Sequence, residues 1–124
     1  MLDAILGNAS QADNASVQKQ HQAVFIPGET VEAAFRLVRD LIVFTNKRLI
    51  MVDVQGMTGK KVEYLSLPYK SIKYFSVETA GRFDRDAELK IWVSNSGTPT
   101  VSKQLKKGID IVGLQRTLAY FVLS

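Results

Sequence analysis

The chain has 124 residues, 46% hydrophobic and 23% charged, the composition of one domain large enough to bury a core of its own. With no cysteine and a single histidine, disulfides, zinc–thiolate sites, iron–sulfur clusters, thiol nucleophiles and any two-histidine metal site or histidine relay within one chain are excluded. The net charge of +4 is unevenly placed: residues 60–107 carry 10 basic and 5 acidic side chains, while residues 1–59 carry 5 and 6.

In chain order, residues 1–26 are polar, with sparse apolar side chains, and read as a helical extension. Leu2, Ile5 and Leu6 share one helical face, and Asn14 or Ser16 is placed to cap a second short helix running to about Val24. His21 on that polar helix is expected at the surface. Pro27-Gly28 then breaks the chain. From Val31 the pattern is β. Val31–Val38 and Leu41–Thr45 flank a tight Arg39-Asp40 turn, and Asn46-Lys47 turns into Arg48–Val54, whose alternation is blurred by apolar residues on both faces. A connection with Gly56 and Gly59 leads to Lys61–Leu67, which ends at Pro68-Tyr69-Lys70 because proline cannot donate to the ladder. Ile72–Thr79 is a fifth strand, and Arg82–Asp86 a self-neutralised loop. Leu89, Ile91 and Val93 alternate against Trp92 in a sixth strand, and Thr98–Leu105 is a seventh. The period then changes. Ile111, Leu114, Leu118 and Phe121, with Val112 and Val122 alongside, form the apolar stripe of a helix that Asp110 is placed to cap.

The longest apolar runs, Leu41–Phe44 and Leu49–Val52, fall far short of the roughly 20 residues of a spanning helix. The segment Met1–Gly7 lacks the basic start and long apolar stretch of a signal peptide, so a cytoplasmic location is expected. No P-loop or nucleophile motif is present, and no cofactor is expected. The aromatics are not interleaved with basic residues as a nucleic-acid stacking platform requires; Phe25, Phe35, Phe44 and Phe75 read as core or sheet residues, and no nucleic-acid partner is expected.

Seven strands followed by one helix is the pleckstrin-homology (PH) layout, and the chain resembles the bacterial PH domains, a family of small prokaryotic proteins. The resemblance runs from about Pro27 to Ser124. It rests on Gly28-Glu29-Thr30-Val31, on Asp40-Leu41-Ile42-Val43-Phe44-Thr45-Asn46-Lys47-Arg48-Leu49-Ile50, and on Leu67-Pro68-Tyr69-Lys70-Ser71-Ile72; the polar N-terminal segment is similar as well. It implies a mainly β fold, a PH-like barrel of seven antiparallel strands capped by the C-terminal helix, and a ring-forming homo-oligomer without catalytic residues. Phosphoinositide-binding PH domains carry several basic residues on a sizeable first hairpin loop. Here that loop reduces to Arg39-Asp40, which speaks against an inositol-phosphate pocket.

Two functional readings follow. In the first, the chain is a non-enzymatic scaffold with residues 27–124 as its domain. It assembles through strand edges and side-chain contacts at Trp92, Thr100, Ser102, Lys73 and Phe75, with strands five and seven as the pairing edges. In the second, Lys60, Lys61, Lys103, Lys106 and Lys107 form an anion-binding patch for a lipid headgroup or phosphate. Trp92 sits on the polar side of its strand, either packed on a neighbouring element or anchoring an interface. Lys47-Arg48 is expected to pair with Asp40 or Asp53.

Overall fold

The computed structural model describes residues 13–37, 39–79, 87–106 and 108–124. The predicted first turn around Leu2, Ile5 and Leu6, the Arg82–Asp86 loop and Lys107 lie outside them. Helix α1 spans Asn14–Gln20, and a 3-10 turn, Gln22–Val24, follows it. The strands are β1 (Val31–Arg36), β2 (Leu41–Thr45), β3 (Arg48–Gln55), β4 (Lys61–Pro68), β5 (Tyr74–Glu78), β6 (Ala87–Trp92) and β7 (Val101–Leu105), with a 3-10 turn, Tyr69–Ser71, between β4 and β5. Helix α2, Ile111–Val122, ends the described fold. All strand pairs are antiparallel and form two sheets, β1-β2-β3-β4 and β5-β6-β7.

The seven strands and the C-terminal helix stand where the periodicity put them, with ends that differ: β3 runs one residue further, to Gln55, and β4 includes Pro68, which pairs with Arg48 at the strand's last position. β1 stops at Arg36 rather than Val38, so the first hairpin loop is Leu37–Asp40, closed by the Leu37 N–H donating to Asp40 O. β7 begins at Val101 rather than Thr98. The helix caps need one correction. Asp13, not Asn14 or Ser16, caps α1: its Oδ1 accepts from Ala15 N, and the Ser16 hydroxyl donates to its Oδ2. Asp110 caps α2 as its position suggested, accepting from Gly113 N at 3.0 Å.

The main core lies between the sheets and under α2. Phe35, Ile42, Phe44, Leu49, Leu89, Ile91, Leu105, Leu114 and Leu118 are fully buried there. Phe121 stacks on both Phe44 and Tyr69. Val112, grouped with the apolar stripe by sequence, faces solvent instead, because position 112 lies on the far side of the helix from the Leu114–Leu118 row.

A second cluster explains the blurred strands. Val31, Ala34, Leu41, Val43, Ile50 and Val52 form the outer face of the four-stranded sheet, and Val17 of α1 is buried among them with Phe25 packed alongside. The N-terminal segment thus covers a face that an ordinary antiparallel sheet leaves to water, and β2 is buried on both sides. Burying Val17 alone contributes about 1.5–3 kcal/mol before ordering costs. The segment also fills hydrogen bonds at the β1 edge: Gln18 Oε1 accepts from Val31 N, Gln18 Nε2 donates to Glu29 O, and Asn14 Nδ2 donates to Glu32 O.

Candidate functional site

Three regions carry the polar chemistry. The first is a knot at one end of the barrel that joins the three sequence motifs. Gly28-Glu29-Thr30 leads into β1, and the β2–β3 turn lies against it. Asn46 Nδ2 donates to Gly28 O and Asn46 Oδ1 accepts from Thr30 N. The Thr45 hydroxyl donates to Glu29 Oε2 at 2.6 Å and accepts from the Lys47 and Arg48 amides. Arg48 grips both Glu29 carboxylate oxygens at 2.8 and 2.9 Å, and reaches Val24 O and Ser66 Oγ with its remaining donors. The Tyr69 hydroxyl from the third motif donates between Thr45 O and Arg48 O.

The Glu29 side chain is fully buried. Burial alone would push its carboxyl up, but the donors of Arg48, Thr45 and Ile26 N–H outweigh it and hold the group at about 2. Tyr69 moves the other way, raised by burial and then by the Glu29 and Glu32 charges. The expected pairing of Lys47-Arg48 with Asp40 or Asp53 is therefore corrected. Arg48 pairs with Glu29, a residue 19 positions upstream, because antiparallel pairing of β1, β2 and β3 brings the entry of β1 alongside the β2–β3 turn. The hydrogen bonds of this knot tie the entry of β1, the β2–β3 turn and Tyr69 to one another.

The second region is the opposite end, where β1–β2, β3 and β7 meet. Leu37, Arg39, Asp40, Val54, Lys103, Gln104 and Lys106 line a cleft of about 290 Å³. Of the predicted basic patch, the structure brings Lys103 and Lys106 into this cleft, whereas Lys60 and Lys61 lie exposed outside its lining and Lys107 is not among the described residues. Lys103 is on the inward face of β7 and is already neutralised: its ammonium lies 3.3 Å from Asp40 Oδ2 and 3.5 Å from Asp53 Oδ2. Those two aspartates, assigned by sequence to Lys47-Arg48, serve Lys103. Arg39, a turn residue by its sequence position, donates to Gly56 O and holds the β3–β4 loop beside the cleft. The spacing of Asp40, Asp53 and Lys103 along the chain offers no sign of this cluster; only the crossing of the two sheets assembles it.

The third region is the outer face of β5-β6-β7. Tyr74 and Trp92 are directly opposite across β5 and β6 and stack at 4.9 Å between ring centres. Tyr74 remains 45% exposed and Trp92 half-buried. Beyond them Lys90 faces Ser102, and the Ser102 hydroxyl donates to Glu88 Oε2. Lys73 and Thr100 are exposed at the aromatic end, their amides donating to Trp92 O and Ile91 O. Phe75 does not belong to this surface. It sits one position out of phase with Tyr74, and its side chain packs inward against the main core. Trp92 thus has its intramolecular partner in Tyr74, a pairing with no local sequence signal because the strand register sets the two opposite.

His21 is also corrected. It is half-buried, its Nδ1 lying 2.9 Å from the Tyr64 hydroxyl while its buried Nε2 has no partner. Burial, and then the Arg36 charge, lower its pKa. Among the described residues no group of His, Asp and Glu could hold a metal, and no helix is long and apolar enough to cross a membrane.

Two sheets closed by a C-terminal helix, with the β2–β3 turn tied to the entry of β1, define a PH-like fold. The chain belongs to the bacterial PH domain family, which it matches over residues 1–122. It is similar to the crystal structure of a pleckstrin homology domain from Shewanella amazonensis SB2B, with a TM-score of 0.84 and 50% identity covering 99% of this chain and 98% of that one. A DUF1696 family protein with a pleckstrin-homology domain from Shewanella loihica PV-4 gives a TM-score of 0.78 at 49% identity, covering 91% and 96%. This chain's sequence is 61% identical over 118 residues to the uncharacterized protein YjqA of Bacillus subtilis (strain 168), covering 95% of this chain and 94% of that one. The uncharacterized protein YozO of the same strain is 34% identical over 106 residues, covering 86% and 90%. No enzymatic family is indicated.

Proposed function

We propose that the chain is a non-enzymatic scaffold that assembles into a closed homo-oligomeric ring through the three-stranded sheet. The observation that carries this reading is the Tyr74–Trp92 stack, a large apolar surface displayed on an otherwise polar sheet face. Aromatic anchors ringed by polar side chains are what well-packed interfaces are built on, and Lys73, Thr100 and Ser102 supply that rim. β5 and β7 flank this sheet, so repeated contacts between unlike edges close into a ring when the rotation allows. The test is light scattering behind size exclusion, at low and high salt, on the intact chain and on Trp92→Ala. A discrete multiple of 13.8 kDa that survives high salt and loses mass on the substitution is expected. A monomer in both buffers would overturn the reading.

A second reading draws on Arg39 and Lys106, which line the cleft at the β1–β2 end. With Lys60 exposed at the end of the loop that Arg39 holds and Lys61 exposed at the start of β4, they support weak binding of a lipid headgroup or phosphate. Lys103 contributes little to it, because an incoming anion must first displace two carboxylates. Binding to vesicles containing anionic lipid that falls with salt and is lost in Lys60→Glu/Lys61→Glu would favour this reading; salt-independent or absent binding would remove it.

A further inference from the structure

We infer that the cleft between the β2–β3 turn and the end of α2 is a docking site for an acidic peptide segment of another protein, one that carries an aromatic or leucine side chain between carboxylates. The cleft has a volume of about 410 Å³, within the size range of built ligand sites. Lys47, Pro68, Tyr69, Lys70, Phe121 and Val122 line it. Its apolar floor is rigid. The Tyr69 and Phe121 rings stack at 4.7 Å between centres, and Phe44 backs Phe121 at 5.8 Å. The Tyr69 hydroxyl is engaged inward on Thr45 O and Arg48 O. Both rings are half-buried, so part of a fixed aromatic surface remains open to the cleft and is ready to cover an apolar side chain.

The charges at the rim decide what fits this floor. Lys47 stands on the β2–β3 turn and Lys70 on the 3-10 turn after β4, and both are exposed. Both turns are pinned: Asn46 bonds Gly28 O and Thr30 N, and the Ser71 hydroxyl donates to Pro68 O. Among the described residues no acidic side chain lines the cleft, and neither lysine has an ion pair. The other end of the barrel differs, because Lys103 there is already held by Asp40 and Asp53. Two cations without counter-charge beside an aromatic floor are complementary to carboxylates flanking an apolar group. A third feature selects among anions. Val122 is the last residue of α2, and the final carbonyls of a helix lack intrahelical donors and give that end a partial negative charge. A phosphate group, free or on a lipid, has no N–H to offer those carbonyls and is repelled by them. A peptide brings backbone N–H donors together with its carboxylates.

The cleft shares no lining residue with the contacts proposed above, so it stands or falls separately from them. The probes are fluorescein-labelled peptides Glu-Asp-X-Asp-Glu with Phe, Tyr, Trp or Leu at X, and two controls, one with Ser at X and one of sequence Lys-Arg-Phe-Arg-Lys. Binding is read by fluorescence anisotropy on the full chain, on Lys47→Glu/Lys70→Glu and on Lys47→Arg/Lys70→Arg. Circular dichroism and light scattering verify that each variant keeps the native fold and mass, and benzoylphenylalanine at X maps the contact by photo-crosslinking. We expect at least one acidic peptide to bind the native chain with a Kd that rises with salt, and both controls to bind about tenfold more weakly or worse. The charge reversal weakens binding by about tenfold or more and the arginine pair retains it, while crosslinks fall on Tyr69–Ser71 or the last turn of α2. The inference is overturned if none of the acidic peptides binds, if either control binds as well as they do, if the charge reversal leaves Kd unchanged, or if crosslinks fall elsewhere. Vesicles of phosphatidylcholine and phosphatidylserine supply the last arm. Sedimentation with them that the charge reversal abolishes would assign the cleft to a membrane and overturn the inference; sedimentation that is absent, or indifferent to the reversal, supports the peptide.

Discussion

The two sheets of this barrel are built from the same kind of strand and meet very different surroundings. The four-stranded sheet is covered on both faces over β1, β2 and the first half of β3, by α2 and the second sheet inside and by Val17 and Phe25 outside, and its turn end is locked by Glu29, Thr45, Asn46, Arg48 and Tyr69. The three-stranded sheet is covered on its inner face alone among the described residues and shows a Tyr–Trp stack on the other. The motifs that resemble the family concentrate in the first sheet, where they serve folding. The Tyr74–Trp92 stack on which the proposed assembly rests is in the second. A motif is thus a guide to where a fold is held together, and its polar residues need not touch a ligand.

The sharpest break in that comparison comes from removing a residue of the shared core. Phe44 is fully buried, edge-on to Phe35 and stacked on Phe121, so Phe44→Ala should cost about 3–5 kcal/mol in denaturant unfolding. Next is the lock. Arg48→Met leaves the Glu29 carboxylate buried without its main partner, and a loss of about 2–4 kcal/mol is expected, below the full buried-pair range because Arg48 is about a quarter exposed. The pH dependence follows from the same group. The folded Glu29 carboxyl titrates at about 2 against an ordinary 4.5, so its stabilisation is complete above about 4.5 and drains away as pH falls toward 2. Thermal melts should show that loss in the native chain and a flatter acid limb in Glu29→Gln. His21, its pKa lowered by burial and by Arg36, adds an earlier loss that begins as pH falls below its ordinary value of 6.5. The smallest effect belongs to the cleft. Lys103→Met breaks ion pairs whose members are partly exposed, and about 1 kcal/mol is the expected cost in urea unfolding.

The strand order and the C-terminal helix were legible because each depends on local periodicity: Leu89, Ile91 and Val93 alternate, and Leu114, Leu118 and Phe121 recur at three and four. The blurred alternation of β2 and β3 was legible as a fact and obscure as a cause, since nothing in Leu41–Val52 says that Val17 will cover the outer face. Polar partners were the least legible. Arg48 is nearer in sequence to Asp53 than to Glu29, yet strand pairing carries Asp53 to the other end of β3 and brings Glu29 back alongside. The same geometry separates Lys60 and Lys61 from Lys103, and it turns Phe75 inward while Tyr74 faces out.

The most direct test of the division between a structural sheet and an assembling one is backbone hydrogen exchange, followed by mass spectrometry at two widely separated protein concentrations. The account predicts that peptides from β5 and β7 exchange more slowly at the higher concentration while those from β2 and β3 stay equally protected at both. Protection of β5 and β7 that stays the same at two concentrations between which light scattering shows the assembly to dissociate would contradict it.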